Sequence, residues 1–395
     1  MRTGSDYLEQ IRDGRRVLLG SEVIDDVTTH PAFRSATQAV ARLYDITSDP
    51  SARGTLTYEE PETGEHCNAI FLRPRSVDDL RRRRAVHQAW ADATYGLVGR
   101  SPDHVAAFVT GMACMPEVIA VDGASYDENI VNYWRHMRDN ELFAAYAIIP
   151  PAGAKGVEAV KGQAKGYDRP TSSLRVVDER DDGVVVRGFK ILATGSPLAD
   201  EVFVGSILPL GPGEEQFSVT FALPIATPGL TLISRKSYEQ HAVSVVDDPL
   251  ASRFDETDAV LYFDDVLVPW ERVFVLNNLE NARAIFYDTL AHTLGNAQAH
   301  IRLLAKLRLM LGVVQKVAEA NGIAQIPAVR ERLAVIAVRL GVLEGLIRGQ
   351  EVEPHVVDNG YLCQNKQTMY ATMAWSSEEY PHIVENVREL LGSAR

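Results

Sequence analysis

Six consecutive residues, Gly99-Arg100-Ser101-Pro102-Asp103-His104, hold the side chains of this chain best suited to chemistry. A guanidinium stays charged at any working pH, so Arg100 at a helix junction can stabilise a developing anion. Pro102 then restarts the chain, and a neutral His104 can serve as a general base near pH 7. Other reactive side chains are less pointed. His292 and His300 stand eight apart on one helical stretch, where a metal site wants three or four, so a packed or surface pair is expected. Gly153-Ala154-Lys155-Gly156 and Gly211-Pro212-Gly213 match neither a dinucleotide fingerprint nor a phosphate loop, and there is no nucleophile elbow. No metal site is expected.

The elements that must position Arg100 follow from periodicity. Residues from about Pro31 to Ile148 read as helical, with Ala32–Ile46 and Val77–Val98 carrying apolar residues at three- and four-residue spacing. From Ser172 to Phe274 the period changes to two. Asp181-Asp182-Gly183 turns between strands, and further runs follow at Glu201–Ile207, Gln216–Leu223, Leu230–Ser234 and Ala259–Phe263. After Asn277 the chain is helical again, with apolar stripes of the kind that build a bundle and continue into a partner subunit. The predicted fold class is α+β: an N-terminal helical domain over 1–150, a central antiparallel β-domain over 151–275 and a C-terminal helical domain over 276–395.

Charge and composition exclude several classes. A net charge of -13 argues against a nucleic-acid partner. The one basic run, Arg81-Arg82-Arg83-Arg84, follows two aspartates at a helix start and reads as a solvated face. Cys67, Cys114 and Cys363 are widely spaced and odd in number, which suits a reducing compartment. The first residues lack an apolar signal core, and the most hydrophobic stretch, Val105 to Val121, is broken by Pro116 and Glu117. A cytoplasmic protein without membrane contact is expected.

Five segments carry a resemblance. They are Gly4-Ser5-Asp6-Tyr7-Leu8, Asp26-Val27-Thr28-Thr29-His30-Pro31, the Arg100 motif, Ala193-Thr194-Gly195-Ser196-Pro197-Leu198-Ala199-Asp200, and Phe263 to Arg272. In this order they resemble the 4-hydroxyphenylacetate 3-hydroxylase family, flavin-dependent monooxygenases on the acyl-CoA dehydrogenase fold. The resemblance implies that Arg100 stabilises a flavin hydroperoxide. In the family a tyrosine and a later histidine grip the phenol oxygen. Here His104 stands at the tyrosine position and Tyr146 at the histidine position, a reciprocal exchange. It also implies that Thr194, with Tyr146, Ile148 and Pro151, contacts the cofactor, and that Ser101 and Asp103 help Arg100 and His104 bind substrate. Asp264, Asp265, Glu271 and Arg272 fall in a strand exit shared by the wider fold and are expected to be structural.

The chain departs from the family in two places. The family's Pro-Gln-x-Asp-Arg flavin loop is replaced by Pro151-Ala152-Gly153-Ala154-Lys155-Gly156, and the sequence stops at Arg395, where members usually continue with further flavin contacts. Losing several charge-assisted contacts weakens cofactor binding. A related branch, 4-hydroxybutyryl-CoA dehydratase, holds an iron–sulfur cluster through cysteines and a histidine. Cys114 has only Glu117 and Ile119 near its partner's position, and His292 is followed by Ala299 where that branch uses cysteine, so no cluster is expected. The leading expectation is an aromatic hydroxylase using reduced FAD from a separate flavin reductase, assembled as a homodimer or homotetramer. The alternative is a relative that has lost flavin and carries out a redox-neutral cyclisation or elimination, and a third is a silent subunit supporting an oxygenase.

Overall fold

The computed structural model describes residues 1–151, 172–206 and 208–392. Its helices are α1 (Gly4–Gln10), α2 (Arg34–Ser48), α3 (Val77–Ala93), α4 (Asp103–Ala113), α5 (Tyr126–Asn140), α6 (Leu279–Tyr287), α7 (Ala291–Ala320), α8 (Pro327–Gly349) and α9 (Lys366–Leu390). Between α5 and α6 lie two sheets. Strands β1 (Val17–Leu19) and β2 (Glu22–Ile24) leave the N-terminal helices and join the larger one. A separate hairpin, β3 (Thr57–Glu59) and β4 (His66–Asn68), stays among those helices.

The remaining strands are β5 (Ala144–Ala147), β6 (Arg175–Arg180), β7 (Gly183–Thr194), β8 (Glu201–Val204), β9 (Val219–Pro224), β10 (Leu230–Ser234), β11 (Asp258–Pro269), β12 (Val273–Leu276) and the short antiparallel pair β13 (His355–Val356) and β14 (Leu362–Cys363). The larger sheet runs β2-β1-β10-β11-β7-β6 and the smaller β12-β9-β8-β5. Val186, Leu261 and Phe263 pack from one against Val202 and Phe221 from the other, and the Phe221 and Phe263 rings meet edge to face at 6.0 Å. Burying such side chains contributes roughly 1.5–3 kcal/mol each. The α+β class stands.

Three expectations need correction. The chain is not helical to Ile148: Glu141 caps α5 in the left-handed conformation (φ 47°), and the chain turns into β5. The sheets are not wholly antiparallel, since β5 pairs in parallel with β8 and β1 with β10. The arginine run is not a solvated face either. Arg83 is 1% exposed and donates to the Ile70 and Leu72 carbonyls at 2.7 and 2.9 Å, while Arg84 meets Glu351 at 2.5 Å. Charge pattern alone missed that α3 turns this side toward protein. Its start is as expected: Ser76 and Asp79 cap each other's backbone amides reciprocally.

Of the segments that carry the resemblance, several work as clamps. Asp200 accepts both Arg2 forks at 2.7 Å and the Phe143 amide at 2.8 Å. Tyr7 donates to the Leu198 carbonyl, and Arg15 to those of Pro197 and Ala199. Arg272 holds buried Glu201 at 3.1 Å. These contacts fix the N-terminal helices to the β-strands, and so fix the cleft between them.

Candidate active site

Arg100 lies in the loop between α3 and α4, beyond the end of the long helix rather than on it. Its amide donates to Glu256 Oε2 at 2.8 Å. Gly195, in the left-handed region at φ 75°, lies under the loop; a Cβ there would come 3.6 Å from the Arg100 carbonyl and 3.2 Å from the Phe143 ring. The two motifs that sequence set far apart thus abut.

The Arg100 side chain enters a cavity of about 520 Å³ between α4, α7 and the strands β5 and β7. His104 and Phe108 from α4, Tyr146 and Ile148 from the β5 region, and Thr194 at the end of β7 line the same space. His104 and Tyr146 meet edge to face at 6.1 Å, and Phe108 stacks on Tyr146 at 5.4 Å. Close approach of α4 and α7 makes this possible. A Cβ at Gly295 would sit 2.3 Å from the Phe108 ring, and one at Gly111 would sit 2.4 Å from the Ala291 amide.

Burial sets the protonation states. It drives the His104 pKa well below its ordinary value, helped by the positive charges of Arg100 and Arg302, so the imidazole is neutral. That depression makes it a weak base near pH 7. Burial also raises the Tyr146 phenol well above its usual range, keeping it a donor. Nδ1 of His104 is buried without a hydrogen-bond partner among the described residues.

Ser101 and Asp103 do not reach the cavity. They are 5% and 1% exposed and belong to a buried network behind His104. Ser101 donates to Asp103 Oδ1 at 2.5 Å, Gln298 donates to the same oxygen at 3.1 Å, and His87 Nδ1 meets Oδ2 at 2.7 Å. The Asp103 carboxylate at the first turn of α4 is thus satisfied by protein donors. Pro151 is not among the cavity-lining residues, and the rest of the expected flavin loop, 152–156, lies outside the described residues.

Thr194 lines the cavity and donates its hydroxyl to Asp258, which also takes Arg235 at 3.2 Å. Beside it, β7 sets two residues, Ile191 and Leu192, opposite the single Val260 of β11, and Leu192 in this bulge has φ 57° and is 54% exposed. A non-glycine residue held so costs of order 1–3 kcal/mol and often marks a working site.

Sequence reasoning missed the α7 wall. His292, set aside as packing, lines the cavity with Asn296, Ala299 and Arg302. The spacing of four, three and three puts them on one helix face, a signal present in the sequence. His300 points elsewhere, buried against Gln350 at 3.1 Å. Among the described residues no group of three metal-ligating side chains gathers.

A helical region, a β-sandwich and a helical bundle with a cleft between them define the acyl-CoA dehydrogenase-like class. Within it, the family models for the 4-hydroxyphenylacetate 3-hydroxylase N-terminal and C-terminal parts match residues 3–275 and 282–395. The chain belongs to that family. It is 34% identical over 391 residues to the 4-hydroxyphenylacetate 3-monooxygenase oxygenase component of Thermus thermophilus, covering 99% of this chain and 78% of that protein. It is 32% identical to the oxygenase component of a Rhodococcus 4-nitrophenol 2-monooxygenase, covering 99% and 74%. A crystal structure of a 4-hydroxyphenylacetate 3-monooxygenase oxygenase component complexed with FAD and 4-hydroxyphenylacetate superposes with a TM-score of 0.89 at 34% identity, covering 100% of this chain and 79% of that one.

Proposed function

We propose that this protein is the oxygenase component of a two-component monooxygenase, which uses reduced FAD from a separate reductase to hydroxylate a phenol or another electron-rich ring. The observation that carries the reading is the convergence of Arg100, His104, Tyr146 and Thr194 on one cavity. The cavity fits the cofactor. Its volume lies in the range of small-molecule sites, Ile148, Ile149, Leu192 and Phe286 offer apolar walls to a flat ring system, and Thr194 offers a polar edge.

When bound, reduced flavin supplies two electrons, and dioxygen gives one atom to the ring and the other to water. The chain's own residues orient and stabilise. Arg100 stabilises negative charge, an effect worth ~3–4 kcal/mol for a well-placed donor. Protonated Tyr146 donates to the substrate oxygen, and neutral His104 shares it as a hydrogen-bond partner. Phe108 and Phe286 give the cavity aromatic walls beside Tyr146.

We further infer a homodimer or homotetramer, because α8 turns Val335, Val338 and Val342 outward at 39%, 66% and 42% exposure. Among the described residues no helix is long and apolar enough to cross a membrane. The three free, buried cysteines support a cytoplasmic setting. The test is Arg100→Ala, with reductase, NADH, FAD and a panel of phenols. Hydroxylated product should vanish while the far-UV spectrum and melting temperature stay as in wild type, and undiminished turnover would remove Arg100 from its role.

A further inference from the structure

Arg302 on α7 brings a second guanidinium to the cavity that holds Arg100. Its only hydrogen bond among the described residues runs from Nη1 to the Gly96 carbonyl at 3.3 Å, and its Nε is buried with no partner. Neither Arg302 nor Arg100 makes an ion pair within 4 Å among the described residues. Glu256 faces both guanidiniums, and two like charges that share one buried carboxylate are costly to hold unless a further anion completes the site.

The carboxylates nearby have other partners as well. Glu256 faces Arg302 but accepts the amides of the Arg100 loop, and burial raises its pKa. Asp103 is held by His87, Ser101 and Gln298, and Asp258 by Thr194 and Arg235. The other titratable groups facing Arg302 are neutral His104, Tyr380 and the cationic Lys306, which adds to the positive field.

We propose that Arg302 is a second substrate-recognition residue of this cavity and that, with Arg100, it selects phenols in their ionised form. The inference rests on the hydroxylase reading and adds the charge state of the substrate. The phenolic proton leaves to solvent as the ligand binds, so no wall residue has to accept it. That agrees with a cavity in which His104 is a weak base and Tyr146 stays protonated. An ionised ring oxygen also makes the ring more electron-rich, as attack on an electrophilic oxygen requires.

The experiment uses 4-nitrophenol, whose neutral and ionised forms absorb at different wavelengths, titrated into the full chain across pH without flavin and again with FAD. The wild type should bind it as phenolate at a pH one to two units below that at which the free phenol ionises, the size of shift a neighbouring opposite charge produces. Arg302→Gln should cancel about one unit of that shift and weaken binding about tenfold, and Arg302→Lys should restore most of both. Melting curves of the variants check the fold, and the lysine variant carries the test if the glutamine variant melts early. A neutral bound phenol in the wild type overturns the proposal. So does an Arg302→Gln or Arg302→Lys protein that binds reduced FAD more weakly but leaves the bound phenol ionised as before, which would assign Arg302 to the cofactor. A wild type that binds no phenol in either titration removes the hydroxylase reading and this inference with it.

Discussion

The amide of Arg100 donates to Glu256 at 2.8 Å, tying the loop that carries the cavity's guanidinium to the chain just ahead of β11. Glu256 does not line the cavity; it acts through Arg100. It is therefore a positioning residue, and its substitution should read out in the placement of Arg100. Glu256→Ala leaves buried amides unpaired, at a cost of about 1–3 kcal/mol, and should lower kcat by tenfold or more. Glu256→Gln keeps an acceptor and should recover most of kcat. Equal loss in both variants would show that the charge, rather than the hydrogen bond, matters.

The exchange of His104 and Tyr146 calls for a double-mutant cycle. The rings touch at 6.1 Å, close enough to couple. His104→Tyr and Tyr146→His should each cost at least tenfold in kcat/KM, because each leaves two groups of one kind to share a single oxygen. The double variant should recover much of the loss, with a coupling of ~1 kcal/mol or more. Additive losses would mean the two side chains act independently.

Glu141 gives a pH dependence of stability. Burial pushes its carboxyl up to about 7, while the nearby chain amine and Arg2 pull the other way. The folded state therefore holds this proton more tightly than the unfolded chain, whose value is near 4.5. The stability linked to it is full below that value and is lost as pH rises through 7. Glu141→Gln should melt several degrees above wild type at pH 8 and together with it at pH 4. A constant difference across pH would contradict the titration.

How far the sequence revealed this site depends on which residue is asked about. Arg100, His104 and Thr194 could be named because the short segments that hold them resemble the family's motifs. The β7 and β11 strands were legible because alternation with a Gly-marked turn has few other solutions. Tyr146 was named, but on the wrong element, since nothing local announces that Glu141 adopts a left-handed turn and starts a strand. That Ser101 and Asp103 lie behind the cavity wall was not legible, because His87 and Gln298, which hold them, come from distant segments. Arg302 was hidden for the same reason: its partners Gly96 and Glu256 are far away in sequence, and only the cleft shows that it shares Glu256 with Arg100.

The most direct measurement is a single turnover of the protein with reduced FAD, a bound phenol and ¹⁸O-labelled dioxygen, followed by mass spectrometry of the product. One labelled oxygen in the ring, dependent on FAD and absent with Arg100→Ala, is the result expected. Product that forms without flavin or dioxygen, or that carries unlabelled oxygen, would contradict the assignment.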